Sequence, residues 1–279
     1  MHRISLLKQL VVILAFLLLS CGNTLKEKET LNTIHSTYTS TFVKDSFDIY
    51  VTLPVNYDSS SQTFPVIFYM DANLKSGKKL RTIANEFANN HQPINAVFVG
   101  VGHTGPYRTL RRRDFISPSI TDSSLANTDK NYGHSDNFYE FLKSELLPFV
   151  EKKYKVNQNR SLIGHSLGGL FSVYSLFKKG RLFTTYVALS PSLWIDNERI
   201  YEFERQYRKD STSLHTNLYL CSGTRERFNY ILNGNRDMKA YLETQSYTGL
   251  NLHYYEFKGE THNSEVPVAL KTIITKLDD

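Results

Sequence analysis

A serine flanked by glycines, placed between an apolar run and a helix-like stretch, constrains this chain more than any other feature. The segment reads Gly164-His-Ser166-Leu-Gly168, and the helix-like pattern after it extends to Lys178. This is the strand–turn–helix context that a G-x-S-x-G nucleophile elbow requires. Such a turn holds the serine in strained backbone geometry, and the small residues beside it leave room for substrate. The pattern predicts Ser166 as a nucleophile; the alternative is a serine that only caps a helix.

Strand-like and helix-like segments alternate along the chain. The predicted strands are 36–43, 46–53, 64–70, 96–101, 161–164, 183–189, 218–222 and 252–257. The predicted helices are 77–90, 137–153, 167–178, 197–208, 236–244 and 266–277, with a kink at Pro148. The segment Thr104–Tyr132 has neither periodicity and is predicted to be a long surface loop.

This order predicts an α/β fold. Alternating strands and helices favour a mostly parallel twisted sheet with helices on both faces. The first two strands read as an antiparallel pair at the N-terminal edge. The order is that of the α/β-hydrolase fold, with the elbow after the fifth strand.

A serine hydroxyl becomes a good nucleophile only when a base removes its proton and a third group orients that base. In α/β-hydrolases the order along the chain is Ser, then Asp or Glu, then His. His262 lies between the last predicted strand and the last predicted helix, so we expect it to be the base. Glu226 follows the strand 218–222 and is the predicted acid, although its arginine neighbours also fit a solvated ion pair. Asp237 is the alternative acid.

An acyl transition state also needs an oxyanion hole. The backbone N–H of Leu167, the residue after the nucleophile, is the first predicted donor. The second is expected from the loop after the strand 64–70, where Ala72 and Asn73 are the two candidates.

The N-terminus has the pattern of a secretory signal. Arg3 and Lys8 precede an apolar run over 10–19, which is too short to span a bilayer. The following Ser20-Cys21 resembles a bacterial lipobox and predicts a lipidated Cys21, a polar tether over 21–34 and one domain over 35–279. The predicted location is the bacterial cell envelope, lipid-anchored on its periplasmic or outer-membrane face. An ordinary signal peptide and an uncleaved anchor are the alternatives.

Composition excludes several function classes. The chain has 33 Lys and Arg against 27 Asp and Glu, and two of those bases lie in the predicted signal. This small excess does not indicate a nucleic-acid partner. We find no zinc-type Cys/His spacing, calcium loop or phosphate-binding glycine loop, so we expect no metal and no organic cofactor. Cys221, the other cysteine, has no disulfide partner if Cys21 carries lipid.

Several segments together resemble the putative-esterase family of α/β-hydrolases. They are Ile163-Gly-His-Ser-Leu-Gly-Gly-Leu-Phe171, Leu189-Ser-Pro-Ser-Leu-Trp194, Gly223-Thr-Arg-Glu226, Gly259-Glu-Thr-His262, Phe64-Pro-Val-Ile-Phe-Tyr-Met-Asp71 and Arg113-Asp-Phe-Ile-Ser-Pro118. The resemblance spans about residues 36–277. That family contains ferric-siderophore esterases, esterase D-like proteins, and carbohydrate acetyl and feruloyl esterases.

The resemblance implies roles for individual residues. It makes Ser166 the nucleophile, Glu226 the acid and His262 the base, and it assigns substrate binding to Trp194 and the loop Arg111-Arg112-Arg113; we add His165 to that binding set. Trp194 packed beneath the next helix and a solvated arginine loop are the alternatives. Asp71-Ala72 stands where the family has Asp-Gly, which predicts slight crowding in the oxyanion loop.

Together these features predict a lipid-anchored serine esterase that hydrolyses carboxylic esters through an acyl-enzyme. A siderophore trilactone is one expected substrate, because a cationic loop suits an anionic ferric catecholate. A carbohydrate acetyl or feruloyl ester, or acyl transfer to an alcohol, is the alternative. The least favoured alternative is a binding lipoprotein without catalysis.

Overall fold

One mixed sheet forms the centre of the protein. The computed structural model describes residues 30–90, 92–118, 120–127 and 132–277. Within them, an eight-stranded sheet has the order β1-β2-β4-β3-β5-β6-β7-β8. The strands are β1 (Thr33–Ser40), β2 (Asp45–Thr52), β3 (Phe64–Met70), β4 (Val97–His103), β5 (Val156–His165), β6 (Thr185–Leu189), β7 (Ser213–Gly223) and β8 (Thr248–Phe257).

The strand directions confirm the predicted sheet. The pairs β1–β2 and β2–β4 are antiparallel, and every pairing from β4 through β3 to β8 is parallel. Every residue of β3 and β4 is buried, as expected for parallel strands covered on both faces. The edge strand β1 instead alternates between exposed and half-buried residues. Ser166 follows β5, at the carboxyl edge where parallel strands of open sheets place their sites.

Helices cover both faces of the sheet. They are α1 (Lys75–Asn89), α2 (Tyr107–Phe115), α3 (Ser123–Ala126), α4 (Ser135–Phe141), α5 (Leu147–Lys153), α6 (Leu167–Leu176), α7 (Ile200–Asp210), α8 (Asn229–Thr244) and α9 (Glu265–Ile273). There is also a short irregular helical turn over Ile195–Glu198 and a 3₁₀ turn over Ile274–Lys276. Residues of α1 and α9 form one apolar cluster on one face. Residues of α4 to α8 form the larger cluster on the other.

Two predicted segments differ in detail. The predicted loop Thr104–Tyr132 contains the helices α2 and α3. Helix α2 has no apolar stripe, so its sequence carries no helical periodicity. Polar contacts help to hold it in place, since the fully buried Asp114 accepts a hydrogen bond from His103 Nε2 at 3.0 Å. The kink predicted at Pro148 is a π-helical turn over Leu142–Leu146, just before that proline.

The N-terminal predictions lie largely outside the described residues. The signal, Cys21 and most of the tether fall within residues 1–29. Strand β1 begins at Thr33, three residues before its predicted start, and Leu31 is buried with its N–H bonded to Asn85 Oδ1 at 2.7 Å. None of the helices in the described part of the chain has the length and apolar character of a membrane span.

Candidate active site

The turn after β5 has the backbone geometry of a nucleophile elbow. Ser166 has φ 59° and ψ −116°, a conformation that non-glycine residues rarely adopt. A Cβ at Gly164 would lie 2.0 Å from the carbonyl oxygen of Gly168, so only glycine fits there. The Ser166 N–H donates to the Leu189 carbonyl at 2.9 Å. The sequence therefore folds locally to hold one serine in a strained, fixed position between β5 and α6.

The structure brings His262 and Glu226 together. His262 Nδ1 lies 3.0 Å from Glu226 Oε2. A carboxylate only accepts, so Nδ1 carries the ring proton in the neutral imidazole and Nε2 is left as the basic nitrogen. Glu226 is 8% exposed despite its arginine neighbours. Asp237, the alternative acid, lies on the exposed side of α8.

Ser166 and His262 line the same cleft, which has a volume of about 600 Å³. The Ser166 hydroxyl lies 3.3 Å from the Ser192 hydroxyl. The Ser192 N–H also donates to the Ser166 carbonyl at 3.1 Å. The loop after β6 therefore contacts the elbow through both a side chain and the backbone of Ser192. Sequence reasoning missed Ser192, although it lies within the segment Leu189–Trp194 that carries the family resemblance.

The turn after β3 supplies the other side of the oxyanion region. The Ala72 N–H donates to the Val101 carbonyl at 3.0 Å, whereas Asn73 lines the cleft. Of the two predicted donors, this leaves Asn73 as the better candidate. Leu167 opens α6, where the first N–H groups of a helix have no partner within the helix. The strained residue of the turn after β3 is Asp71, with φ 59°, so the methyl group of Ala72 adds no backbone strain.

His165 contacts the loop that carries His262. Its Nε2 lies 2.7 Å from the His262 carbonyl oxygen, and the two rings lie 4.6 Å apart. A carbonyl can only accept, so this Nε2 bears the proton. Burial, with a smaller contribution from the nearby His262, lowers the pKa of His165 to about 3. His165 is therefore a neutral donor that also lines the cleft.

The three predicted substrate-binding arginines have different surroundings. Arg111 lines the cleft, but its guanidinium forms two hydrogen bonds with Asp71, at 2.7 and 2.9 Å. Arg113 bridges Asp45 and Asp114, and Arg112 donates to the Tyr132 hydroxyl at 2.9 Å. Only Arg111 of the three is among the described residues that line this cleft.

Two lysines that the sequence analysis did not single out also line the cleft. Lys75 and Lys78 are exposed on the first turn of α1. Among the ion pairs between described residues, none involves either lysine. The unpaired positive charge at the cleft therefore comes from α1 rather than from the arginine run.

An exposed aromatic cluster lies close in sequence to the site. Trp194, Phe228 and Tyr230 are 40%, 45% and 42% exposed. The Trp194 and Tyr230 rings lie 4.9 Å apart, and Phe228 stacks on Tyr230 at 5.1 Å. Trp194 is therefore not packed beneath the next helix, which was the alternative interpretation.

Two further polar residues lie behind Glu226. Ser190 Oγ lies 2.5 Å from Glu226 Oε1, and it also lies 3.0 Å from Glu265 Oε2. Neither residue was predicted. A helix-opening glutamate such as Glu265 looks like ordinary N-terminal dipole stabilisation, so its sequence carried no distinguishing signal. The described residues contain no group of three or more His, Cys, Asp or Glu side chains arranged to hold a metal ion.

Comparison with known proteins places this chain in a family. Residues 40–267 match the family model described as "Putative esterase". The chain is 30% identical over 220 residues to the ferri-bacillibactin esterase BesA of Bacillus subtilis, covering 74% of this chain and 75% of that one.

Two other proteins are similar. A siderophore enterobactin esterase of Emericella nidulans is 28% identical over 187 residues, which is 61% of each chain. The crystal structure of the BES protein from Bacillus cereus superposes with a TM-score of 0.76 at 26% identity, covering 91% of this chain and 98% of that one. The chain therefore belongs to the putative-esterase family and is a carboxylic ester hydrolase with the α/β-hydrolase fold.

Proposed function

We propose that this protein is a serine esterase that hydrolyses siderophore esters with Ser166, His262 and Glu226. The observation that carries the proposal is the contact between Glu226 and His262 in the cleft that Ser166 lines. It supplies the orienting group and the base that a serine nucleophile needs. The names of two similar proteins, a ferri-bacillibactin esterase and an enterobactin esterase, support the substrate class.

In the first proposed step, Ser166 forms an acyl-enzyme. When substrate enters, the Ser166 hydroxyl turns from Ser192 toward His262 Nε2 and gives up its proton there. Its Oγ bonds to the ester carbonyl carbon. The bond to the alcohol oxygen then breaks, and that oxygen takes the proton from Nε2. Glu226 stabilises the imidazolium that exists between the two transfers.

Water completes the proposed cycle. His262 Nε2 takes a proton from water, the water oxygen bonds to the acyl carbon, and the bond to Oγ breaks as Oγ regains a proton. The Leu167 and Asn73 backbone N–H groups are the proposed donors to the oxyanion in both steps. Such a donor typically contributes about 3–4 kcal/mol to transition-state stabilisation.

The cleft rim offers contacts for an aromatic, anionic substrate. Trp194 lies two residues after Ser192, and Phe228 lies two residues after Glu226, so we expect the exposed aromatic cluster to border the cleft. Arg227 lies 5.2 Å from the centroid of the Phe228 ring. Exposed aromatic faces bind flat rings, and Lys75 and Lys78 add positive charge. Both features suit a ferric catecholate ester.

The proposed location follows from Cys21. We propose that the mature chain begins at a lipidated Cys21 and is held on a membrane of the bacterial envelope. Metabolic labelling with a fatty acid tests this, because the label should appear on the wild-type chain and be lost in Cys21→Ala. Label on both chains would contradict it.

A substrate panel tests the proposed function. We expect the purified domain to hydrolyse ferric enterobactin and ferric bacillibactin with a higher kcat/KM than feruloyl esters or acetylated xylan. Ser166→Ala provides the matched control for background hydrolysis. A preference for either carbohydrate ester would contradict the siderophore assignment. Transfer of the acyl group to an added alcohol in place of water would identify an acyltransferase.

A further inference from the structure

A buried hydroxyl connects Glu226 to a second carboxyl group. Ser190 Oγ lies 2.5 Å from Glu226 Oε1 and 3.0 Å from Glu265 Oε2. Ser190 and Glu265 are both fully buried. Glu226 thus uses Oε2 for His262 and Oε1 for Ser190, and Glu265 lies on the far side of Ser190.

The number of protons shared by Glu226, Ser190 and Glu265 determines whether one or both glutamates are charged. A serine hydroxyl has one proton and can donate to only one carboxylate. If both glutamates were ionised, two buried negative charges would share that proton. If Glu265 is protonated, its O–H donates to Ser190 Oγ and the Ser190 O–H donates to Glu226. Burial, together with the nearby charge of Glu226, raises the pKa of Glu265 to about 8.

The backbone holds both ends of this connection. Ser190 has φ 40°, and its N–H donates to the Cys221 carbonyl at 2.7 Å. Glu265 opens α9, and its N–H donates to the Thr261 carbonyl at 3.0 Å. Residues 261–265 include His262, so the loop that carries the base also carries this second carboxyl group.

The other charged or titratable groups near Glu265 come from neighbouring elements. Lys79 on α1 favours the ionised carboxylate, and its ammonium donates to the Asn263 carbonyl at 2.8 Å. Cys221 on β7 is buried, and burial raises the pKa of its thiol; an ionised Glu265 would raise it further. Within the loop, His262 is paired with Glu226. Glu265 Oε1 has no hydrogen-bond partner among the described residues.

We propose that Glu265, as a neutral carboxylic acid acting through Ser190, is a positioning residue that holds Glu226 in place for His262. This inference rests on the proposed catalytic roles of Ser166, His262 and Glu226. Glu265 does not touch the reacting atoms. Its contribution is to supply the proton that lets Ser190 donate entirely to Glu226, so that the other oxygen of Glu226 stays aligned with the imidazole.

The proposal predicts an alkaline limb in the pH profile. Catalysis needs the neutral imidazole of His262, because only that form accepts the Ser166 proton. Above about pH 8, Glu265 ionises and places a second negative charge behind Glu226. The Ser190 proton is then divided between two anions, and kcat falls.

The test measures kcat and KM from pH 5.5 to 10 for the wild type, Glu265→Gln, Glu265→Ala and Ser190→Ala. In Glu265→Gln an amide N–H still donates to Ser190 but cannot ionise, so kcat at pH 7 should be retained and the fall above pH 8 should disappear. Glu265→Ala and Ser190→Ala should each lower kcat about tenfold or more at pH 7, with KM nearly unchanged. The exposed Glu243→Gln on α8 is the matched control and should leave the profile unchanged.

A second measurement reads the charge of Glu265 without catalysis. A carboxyl group whose pKa is higher in the folded than in the unfolded state destabilises the fold progressively as pH rises between the two values. The Tm of Glu265→Gln minus that of the wild type should therefore increase from pH 5 to pH 8 and then level off. A difference that does not change with pH would overturn the neutral-acid assignment, even if Glu265→Ala does not fold.

The outcomes separate this inference from the proposed function. Loss of activity in Ser166→Ala, together with an unchanged alkaline limb in Glu265→Gln or no alkaline limb in the wild type, would overturn the role of Glu265 alone. Wild-type activity in Ser166→Ala would overturn the proposed function and this inference with it.

Discussion

Two parts of the site, a buried interior behind His262 and an exposed rim, are built in opposite ways. In the interior, Glu226, Ser190 and Glu265 are buried and joined by hydrogen bonds. The rim comprises Lys78 and Trp194, which are both exposed. Lys78 lines the cleft and forms no ion pair with a described residue, whereas Trp194 lies two residues after Ser192 and contacts the Tyr230 ring. Catalysis needs fixed geometry, whereas contact with a large ester tolerates movement. The interior should therefore control kcat and the rim should control KM.

Among the single substitutions, Ser166→Ala should lower kcat the most. Without the hydroxyl no acyl-enzyme forms, and kcat should fall by at least about 10⁴-fold. The unfolding temperature should stay close to that of the wild type, since alanine keeps the Cβ of the strained turn. Steady-state hydrolysis of ferric enterobactin, with circular dichroism as the folding control, measures this.

Glu226→Ala should have the next largest effect. His262 would lose the group that orients its ring, and kcat should fall by about 10²–10⁴-fold. Asp237→Ala removes an acid from the exposed side of α8 and should leave kcat unchanged. If Asp237→Ala were the damaging change, the assignment of the acid to Glu226 would be wrong.

Arg111→Ala sharpens the comparison, because Arg111 lies at the cleft but has an interior partner. Its loss leaves the carboxylate of Asp71, which is 1% exposed, without its two hydrogen bonds. We expect a loss of about 3 kcal/mol in the free energy of unfolding by urea. Lys78→Ala removes a cation from the same cleft and should not change that free energy. If Arg111→Ala and the wild type had equal free energies of unfolding, the pair with Asp71 would not stabilise the fold and Arg111 would be available to bind substrate.

The rim should give the smallest effect. The double variant Trp194→Ala, Tyr230→Ala should raise KM for a catecholate ester about fivefold, which corresponds to about 1 kcal/mol of lost ring contact, with kcat nearly unchanged. Phe42→Ala is a matched control, because that ring is also 41% exposed but lies between β1 and β2. A fall in kcat with unchanged KM would place the aromatic cluster in the interior instead.

The periodicity of apolar residues predicted most strands of the sheet, but it missed the polar ends of some strands and helices. The buried β3 and β4 were predicted closely, because a short apolar run such as FPVIFYM is stable only when it is buried, as in the centre of a parallel sheet. Strand β7 begins five residues before its predicted start because its first residues are partly polar. Helix α8 begins seven residues before its predicted start, since Asn and Gly are weak helix formers.

The candidate site divides in the same way. Ser166 and His262 carry signals in the sequence, namely an elbow and a loop position. Ser190 and Glu265 have no such signal. Their contacts with each other and with Glu226 join segments that are far apart in the sequence, so no local sequence pattern predicts them. The family resemblance assigned the arginine run at 111–113 to substrate binding, and its positive charge suited an anionic substrate. Its partners Asp71, Asp45 and Asp114 became evident only when the fold brought them together.

Covalent trapping tests the central assignment most directly. An organophosphate such as diisopropyl fluorophosphate reacts with a serine hydroxyl that a neighbouring base activates. Peptide mass spectrometry should find one adduct, on Ser166, formed much more slowly in His262→Ala and absent in Ser166→Ala. An adduct on another serine with the same loss of activity, or equal labelling rates with and without His262, would contradict the account.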